Sequence, residues 1–472
     1  MNDYQQFIDS KALLDRPNGF AVDGNLNSHL MDWQATVSEW SIRRGRAALF
    51  CDCGMGKTFM QLVWAEAVAA HTDQPVVLHC PVGVRQQTIR EAEKFGIQIP
   101  VRACDDDDEI PDSAFIAVTN YEKLHRINPE RFAGVVLDES SILKSFAGKT
   151  KQRLVAAYRE TPYRLACTAT PAPNDHTELG NHSEFLGVMP SSEMLSRWFL
   201  NDTMKAGGYR LKGHAAADFW NWLATWAVCM SKPSDINPAF SDDGYVLPEM
   251  RRFNHLIDIP DTPVNGQLFG TTILNATTLH TAKRESCTLR AEKVAQLIRG
   301  NDEPWIVWCD TDYEADALIK SIRGVCDSFV EVRGRDKESI KEQKLTAFST
   351  GEARVIVTKP GIAGFGMNWQ HCRNVAFVGL SYSYEKFYQA VRRSYRFGQT
   401  QVVNVHVIST EVEAVIEETV NAKQADHHNM QLAMIEAMRD VQRLSVAGDL
   451  KRSQYEAGNS MELPSWIKTA SV

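Results

Sequence analysis

Two series of short apolar runs, each run followed by a segment of helical periodicity, constrain the fold of this chain most strongly. The first series comprises the runs at 47–51, 76–80, 115–118, 134–138 and 163–167. The second series comprises the runs at 305–309, 328–332, 354–358, 375–380 and 402–408. Strands that alternate with helices form a parallel sheet with helices on both faces. The pattern therefore predicts an α/β fold with two parallel-sheet lobes.

The chain between and after the two series has a different character. The segment FWNWLATWAVCM carries aromatic residues at helical spacing, and the segment SKPSDINPAFSDDGYVLP that follows it is rich in turn-forming residues. We expect Trp220, Trp222 and Trp226 to pack in a core rather than to stack on bases. The predicted organisation is a first lobe over 1–185, a helical insertion and linker over 186–290, a second lobe over 291–410, and a helical C-terminal segment with a loose tail over 411–472. His427 and His428 of that segment are interpreted as surface residues.

Composition excludes several classes of protein. The chain has 472 residues with a formal net charge of −8, so a nucleic-acid partner would need a local basic surface. Its ten cysteines are scattered without a C-x-x-C pair, which disfavours a zinc site. The N-terminus lacks the pattern of a signal peptide, and no run of 18 apolar residues occurs. We expect a cytoplasmic protein without zinc and without a membrane segment.

A glycine-containing turn between the first predicted strand and the next helix suggests a phosphate-binding loop. The segment reads CDCGMGKT over residues 51–58, and Cys51 stands where the pattern G-x-x-x-x-G-K-[ST] has its first glycine. A backbone without side-chain obstruction and the positive end of a helix suit phosphate groups. The residues predicted to bind the nucleotide here are Gly54, Met55, Gly56, Lys57 and Thr58. Lys57 would reach the β and γ phosphates, and Thr58 would place its hydroxyl on Mg²⁺.

A pair of carboxylates follows the apolar run at 134–138. Asp138 and Glu139 lie at the carboxyl end of a predicted strand, where ligands bind in open parallel sheets. Asp138 would hold Mg²⁺, and Glu139 would act as a general base toward water. An acidic pair that caps the next helix is the alternative interpretation. The segment Thr168-Ala169-Thr170-Pro171 ends the next predicted strand, and its hydroxyls could join Asp138 to contacts of the neighbouring lobe.

The ordered set CDCGMGKT, LDESSILKS, CTATPAPNDHTELGNHSEFLG, GFGMN and QAVRRSYRFGQ resembles the superfamily 2 helicases and translocases, within them the Swi/Snf-like branch. The resemblance extends from Gln34 to about residue 410. It implies two RecA-like lobes with ATP and Mg²⁺ between them. Arg393 and Arg396 are similar to the family's two arginine fingers, which reach from the second lobe to the γ-phosphate. A guanidinium there neutralises the charge of the transition state.

The same resemblance assigns further residues. Gln34 is similar to the glutamine that reads adenine, while Gly366 and Gln389 are expected at the nucleotide. The residues similar to nucleic-acid contacts of the family are Pro81, Thr119, Thr168, Thr170, Thr358 and Lys359. The family commonly has Ala-His where this chain has Ser140-Ser141, so the link from hydrolysis to the threonine segment is expected to differ.

The function implied by the resemblance is an ATP hydrolase that acts as a motor on nucleic acid. Duplex DNA is the favoured track, and single-stranded DNA is a possible one. A nuclease or replication protein is a possible partner, and the compact size is typical of motors from bacteria or their viruses. An RNA helicase and an ATP-gated assembly subunit of a larger DNA-processing complex remain as alternatives. The candidates for a basic cleft are Arg43, Arg44, Arg46, Lys359 and Arg392.

Overall fold

The computed structural model describes residues 17–22, 24, 26–145, 148–202, 208–258, 276–363 and 367–446. Gly366 and the predicted loose tail after residue 446 lie outside the described residues. Across the described part of the chain, no helix is both long enough and apolar enough to cross a membrane.

The first lobe is built on a parallel sheet. Its strands are β1 (Arg46–Cys51), β2 (Pro75–Cys80), β3 (Val101–Ala103), β4 (Phe115–Asn120), β5 (Gly134–Asp138), β6 (Tyr163–Cys167) and, numbered by its place in the chain, β9 (Ala227–Met230). Within the described residues, these seven strands run in the order β3-β4-β2-β5-β6-β1-β9, and all pairs are parallel. All six residues of β2 are buried, as expected for a strand covered on both faces.

Helices cover both faces of this sheet. They are α1 (Asp32–Arg44), α2 (Lys57–Thr72), α3 (Arg85–Lys94), α4 (Lys149–Ala157), α5 (Leu179–Leu186) and α6 (Ser191–Trp198). Successive strand residues contribute to different cores: Leu49 packs in one hydrophobic cluster and Phe50 packs in the other. The five strands that the sequence predicts for this lobe are all present, with ends that differ by no more than two residues.

The second lobe repeats this architecture. Its strands are β10 (Met250–Ile257), β11 (Trp305–Cys309), β12 (Phe329–Val332), β13 (Val355–Thr358), β14 (Asn374–Val378) and β15 (Val403–Thr410). Its helices are α8 (Ala276–Arg299), α9 (Asp312–Ile322), α10 (Glu338–Ser349), α11 (Pro360–Ala363) and α12 (Tyr384–Val391). The described strands form a parallel sheet in the order β10-β15-β14-β11-β13-β12. The predicted α/β fold with two parallel-sheet lobes is therefore confirmed.

The region between the lobes is not purely helical, which differs from the prediction for 186–290. It contains helix α7 (Ala216–Ala224) and a hairpin of β7 (Phe199–Asp202) and β8 (Gly208–Leu211), but it also supplies β9 to the first sheet and β10 to the second. The run Ala227–Met230 is short, apolar and fully buried, and periodicity alone cannot assign such a run to a helix or a strand. Trp220, Trp222 and Trp226 are buried in the core, as predicted.

The C-terminal helix α13 (Ala414–Val446) crosses from one lobe to the other. Ile416 and Val420 pack in the core of the second lobe, whereas Met430 and Met434 pack in a core of the first. His427 lies between these two contacts and is only 3% exposed, so its interpretation as a surface residue is wrong. The reason is that its ring packs against Tyr384 and Tyr388 of α12.

Candidate active site between the two lobes

The glycine-containing loop leads from β1 into α2 and has no room for side chains at its two glycines. Gly54 and Gly56 adopt φ values of 89° and 71°. A Cβ on Gly56 would lie 2.4 Å from Gln34 Nε2, and one on Gly54 would lie 2.9 Å from the backbone nitrogen of Phe397. The Lys57 ammonium donates to the carbonyl oxygens of Cys51, at 2.8 Å, and Asp52, at 3.1 Å. The loop is thus a tight turn at a helix N-terminus with a lysine folded against it, an arrangement suited to phosphate groups.

Gln34 on α1 is held against this loop. Its side-chain oxygen accepts a hydrogen bond from Met31 N at 3.0 Å, and its amide donates to the carbonyl of Met55 at 3.3 Å. The side chain is buried. The structure therefore brings the predicted adenine-reading residue to the phosphate loop, 21 residues away in sequence.

The carboxylate pair lies beside the loop at the end of β5. Gln61, one turn beyond Lys57 on α2, donates from Nε2 to Asp138 Oδ1 at 2.8 Å. Both side chains are buried, and burial raises the pKa of Asp138. Gln61 was not among the predicted site residues, although its i+4 spacing from Lys57 places both on the same face of α2.

Glu139 has an unusual backbone and a perturbed carboxyl group. Its φ and ψ are 52° and 53°, the left-handed region that residues with a side chain seldom adopt. Burial, reinforced by the charge of Asp138, raises the pKa of Glu139 to about 7. A carboxylate with such a pKa is matched to proton transfer near neutral pH. Strained backbone of this kind clusters at functional sites.

Gln389 on α12 connects the second lobe to this carboxylate. Its amide nitrogen donates to Glu139 Oε2 at 3.3 Å, and its oxygen accepts from Arg393 Nη2 at 3.1 Å. The Cys53 thiol lies 3.8 Å from the same oxygen. One side chain therefore links the general-base candidate, the phosphate loop and an arginine of the opposite lobe.

The two predicted finger arginines stand next to the phosphate loop. Arg393 donates to the Gln389 and Met367 carbonyls at 3.0 and 3.1 Å, and Arg396 donates to the Met367 carbonyl at 3.2 Å. The Cβ position of Gly54 is 3.5 Å from Arg396 Cβ. Burial, together with the nearby charge of Arg393, lowers the pKa of Arg396 to about 10, so the side chain remains a cation at neutral pH. Its Nε is buried with no hydrogen-bond partner among the described residues.

Asp52 of the phosphate loop makes a contact that the sequence did not indicate. Its carboxylate pairs with Arg392 and accepts a hydrogen bond from the Tyr388 hydroxyl, both from the second lobe. Arg392 is therefore paired within the interlobe contact, which corrects its assignment to a basic cleft for nucleic acid. Arg44, another cleft candidate, is also buried. The Asp52–Arg392 partners are 340 residues apart, so no local pattern could reveal the pair.

Ser140, which follows Glu139, contacts a buried histidine. Ser140 Oγ lies 3.1 Å from Nε2 of His182 on α5, and both side chains are buried. Burial lowers the pKa of His182 to about 4, so the imidazole is neutral at physiological pH. A histidine is therefore present behind the carboxylate pair, but α5 supplies it rather than the carboxylate motif.

The residues predicted to contact nucleic acid fall into two groups. Thr119, Thr168, Thr170 and Thr358 are buried, and their contact with a nucleic-acid backbone stays a prediction. The hydroxyl of Thr358, for example, donates to the Val332 carbonyl at 3.0 Å because β13 is an interior strand. Lys359 is partly exposed and forms an ion pair with Asp312 at 2.9 Å.

Pro81 lines a cleft of about 1030 Å³ between the lobes. Glu139 and Lys144 of the first lobe and Lys341 and Asn368 of the second also line it. Its wall therefore includes the general-base candidate as well as a predicted nucleic-acid contact.

The chemistry of the available donors fits Mg²⁺ held together with phosphate. Thr58 at the start of α2 and Asp138 at the end of β5 supply a hydroxyl and a carboxylate, and hard oxygen donors suit this ion. In the described portion of the chain, no group of three or more His, Cys, Asp or Glu side chains could hold a metal by itself. Such a site needs phosphate and water oxygens to complete its shell, as is usual for Mg²⁺.

Comparison with known proteins finds a family match within the second lobe. Residues 290–398 match the family described as "Helicase conserved C-terminal domain", a span that contains Gln389, Arg393 and Arg396. Among solved structures, the Sulfolobus solfataricus SWI2/SNF2 ATPase core in complex with dsDNA has 18% sequence identity and a TM-score of 0.43, over 90% of this chain and 99% of that chain. The curated proteins contain no match. The resemblance to helicases that the motifs indicate is confirmed.

Proposed function

We propose that this protein is an ATP-driven motor that hydrolyses ATP between its two lobes and moves along DNA, with duplex DNA as the favoured track. The observation that carries the proposal is the set of hydrogen bonds made by Gln389. They join Glu139 of the first lobe to Arg393 of the second, beside the phosphate loop. Groups of this kind are those that phosphoryl transfer requires.

Each side chain of the interlobe site has a role in this proposal. The loop amides and Lys57 would bind the phosphates. Thr58 and Asp138 would hold Mg²⁺, which would supply positive charge beside the phosphates. Gln61 orients the Asp138 carboxylate. Glu139 accepts a proton from the attacking water, and its raised pKa suits that task. Arg393 and Arg396 neutralise negative charge that develops on the transferred group.

Hydrolysis in this scheme depends on how the lobes are arranged. The phosphate loop and Glu139 belong to the first sheet, whereas Gln389 and the arginines belong to the second. The site is complete only when both sets of residues meet, so its assembly and disassembly are coupled to movement between the lobes. That coupling is the physical basis for stepping along a strand.

The choice of DNA rests on the R-x-x-R-x-G-Q ending at 393–399, which resembles the Swi/Snf-like branch. Contacts to a phosphate backbone would give binding that is sensitive to salt and indifferent to base sequence. Stimulation of hydrolysis by RNA rather than DNA would instead support an RNA helicase. Undetectable hydrolysis with every nucleic acid would support an ATP-gated assembly subunit.

One substitution in each lobe tests whether the proposed site hydrolyses ATP. We expect Lys57→Ala and Arg396→Ala each to reduce ATP hydrolysis by about 10³-fold or more, since each removes a positive charge that stabilises the transition state. DNA binding should remain measurable in both variants. The measurement is the steady-state ATPase rate with duplex DNA, single-stranded DNA and RNA. Lys320→Ala, at an exposed lysine of α9, is the matched control and should hydrolyse ATP like the wild type. Full hydrolysis by either site variant would overturn the assignment.

A further inference from the structure

We propose that Asp52, Tyr388 and Arg392 form an interlobe latch that holds the arginine segment of the second lobe in register with the phosphate loop. These three positioning residues together are called the latch. The latch itself is inferred from contacts between the lobes, whereas its effect on catalysis rests on the proposed function.

The Asp52 carboxylate accepts hydrogen bonds from donors of both lobes. Its Oδ1 accepts a hydrogen bond from its neighbouring loop amide, Cys53 N, at 2.6 Å, and another from the Tyr388 hydroxyl. Its Oδ2 accepts from Arg392 Nη2. Asp52 itself is buried. This buried carboxylate therefore ties a loop amide of the first lobe to a cation of the second.

Arg392 is fixed from several directions. Its guanidinium lies over the rings of Tyr388 and Tyr395, at 5.2 and 5.4 Å from the ring centroids, and it donates to the Tyr395 carbonyl at 3.1 Å. Burial opposes the charge of Arg392, but Asp52, Tyr388 and Cys53 together favour the cation and raise the pKa of Arg392. Because the cation is held on aromatic faces and by a carboxylate together, it has little freedom to leave the loop without breaking several contacts.

A second ion pair between the lobes is more exposed than the latch. Arg90 and Glu342 approach to 2.8 Å, yet their side chains are 58% and 56% exposed. Exposed pairs of this kind contribute little because water and salt screen them. Loss of one partner from a buried pair, in contrast, leaves an uncompensated charge. The latch is therefore expected to dominate over the Arg90–Glu342 pair.

The position of the latch explains its consequence for the site. Arg392 precedes Arg393 directly, and Asp52 lies two residues before Gly54, which packs against Arg396 and Phe397. A fixed Asp52–Arg392 contact therefore sets the distance between the phosphate loop and both finger arginines. Loss of the latch should leave each lobe folded but make their relative position less defined.

The test measures the distance between the lobes in the full chain without nucleotide. Spin labels on unnatural amino acids at the exposed positions Glu160 and Lys320 would report it by pulsed dipolar spectroscopy. We expect one narrow distribution for the wild type and broader, longer distributions for Asp52→Asn and Arg392→Gln. The double variant should give a distance distribution no broader than that of either single variant, because the two residues act as a unit. Arg90→Gln is the matched control and should keep the wild-type distribution.

Unchanged distributions in Asp52→Asn and Arg392→Gln would overturn the latch. If circular dichroism shows that either variant does not fold, the distance distributions of Tyr388→Phe and Arg392→Lys test the latch instead. The first removes a single hydroxyl and the second retains the charge, so both should broaden the distribution to a smaller extent. Wild-type distributions in these two variants would also overturn the proposal.

ATPase measurements on the same variants separate the latch from the proposed function. With saturating DNA we expect kcat to fall on the order of tenfold or more in Asp52→Asn and Arg392→Gln, with KM changed less. Losses that add in the double variant would count against a shared positioning role. A wild-type protein that hydrolyses no ATP would contradict the proposed function, while the distance distributions would still decide for or against the latch.

Discussion

At the scale of single residues, Glu139 carries the chemistry most sensitive to its surroundings. Its backbone lies in the left-handed region, and its carboxyl is buried beside Asp138. The backbone conformation and the burial of the carboxyl group both cost free energy, and such costs cluster at functional sites.

The raised pKa of Glu139 predicts a pH dependence within the physiological range. A general base must be deprotonated, so kcat/KM should fall about tenfold per pH unit below pH 7, the pKa of about 7 that burial and Asp138 impose. A carboxylate with the ordinary value would keep full activity to about pH 5. The measurement is kcat/KM for ATP from pH 5 to 9, with nucleotide affinity measured over the same range as the control. A flat profile down to pH 5 would contradict the role of Glu139.

Residues of the site could be predicted where the chemistry is local in the chain. The loop at 51–58 and the pair Asp138-Glu139 follow directly from strand, turn and helix patterns. Contacts that the sequence did not reveal join distant residues: Gln61 and Asp138 are separated by 77 positions, and Ser140 and His182 by 42. Such pairs depend on which strands and helices become neighbours, which no local pattern specifies.

At the scale of elements, every interior strand could be predicted, whereas the border strands β3, β9 and β10 could not. The runs that became β1, β2, β4, β5 and β6 are continuous apolar segments, because both faces of an interior parallel strand are buried. Strand β10 lies at the edge of the second sheet, and its residues MRRFNHLI alternate between less and more exposed positions. An edge strand retains polar residues, so its apolar signal is weak.

Helix α13 contacts both lobes along its length. Its 33 residues begin in the core of the second lobe and reach the core of the first through Met430 and Met434. Near its middle, Lys423 donates to Asn174 Oδ1 of the first lobe at 3.0 Å and to the Tyr382 carbonyl of the second at 3.2 Å. The helix therefore limits how far the lobes can separate while it remains docked.

Truncation of a docked methionine should destabilise the protein measurably. Met434 is fully buried, so Met434→Ala should lower the free energy of unfolding by about 2–5 kcal/mol through lost contacts and a cavity. Leu432, on the same helix, is 52% exposed, and Leu432→Ala should change the free energy by no more than about 0.5 kcal/mol. Chemical denaturation compares the two. Equal effects of both substitutions would show that α13 is not docked through Met434.

At the scale of the whole molecule, a net charge of −8 is compatible with a nucleic-acid motor only if the track meets local cations. The interlobe cleft mixes both signs: Lys94, Lys341 and Lys386 line it together with Glu91 and Glu385. Arg392, expected to contribute to such a surface, is instead committed to Asp52. Arg392 is therefore not available to a nucleic-acid track while this pair is formed.

The central claim is that hydrolysis between the lobes drives movement along duplex DNA. The most direct measurement is displacement of a third strand from a duplex by the wild-type protein with ATP, with Lys57→Ala as the inactive control. We expect ATP to drive displacement of the third strand while the underlying duplex stays paired, and we expect the control to displace nothing. ATP hydrolysis on duplex DNA without displacement of the third strand would contradict it.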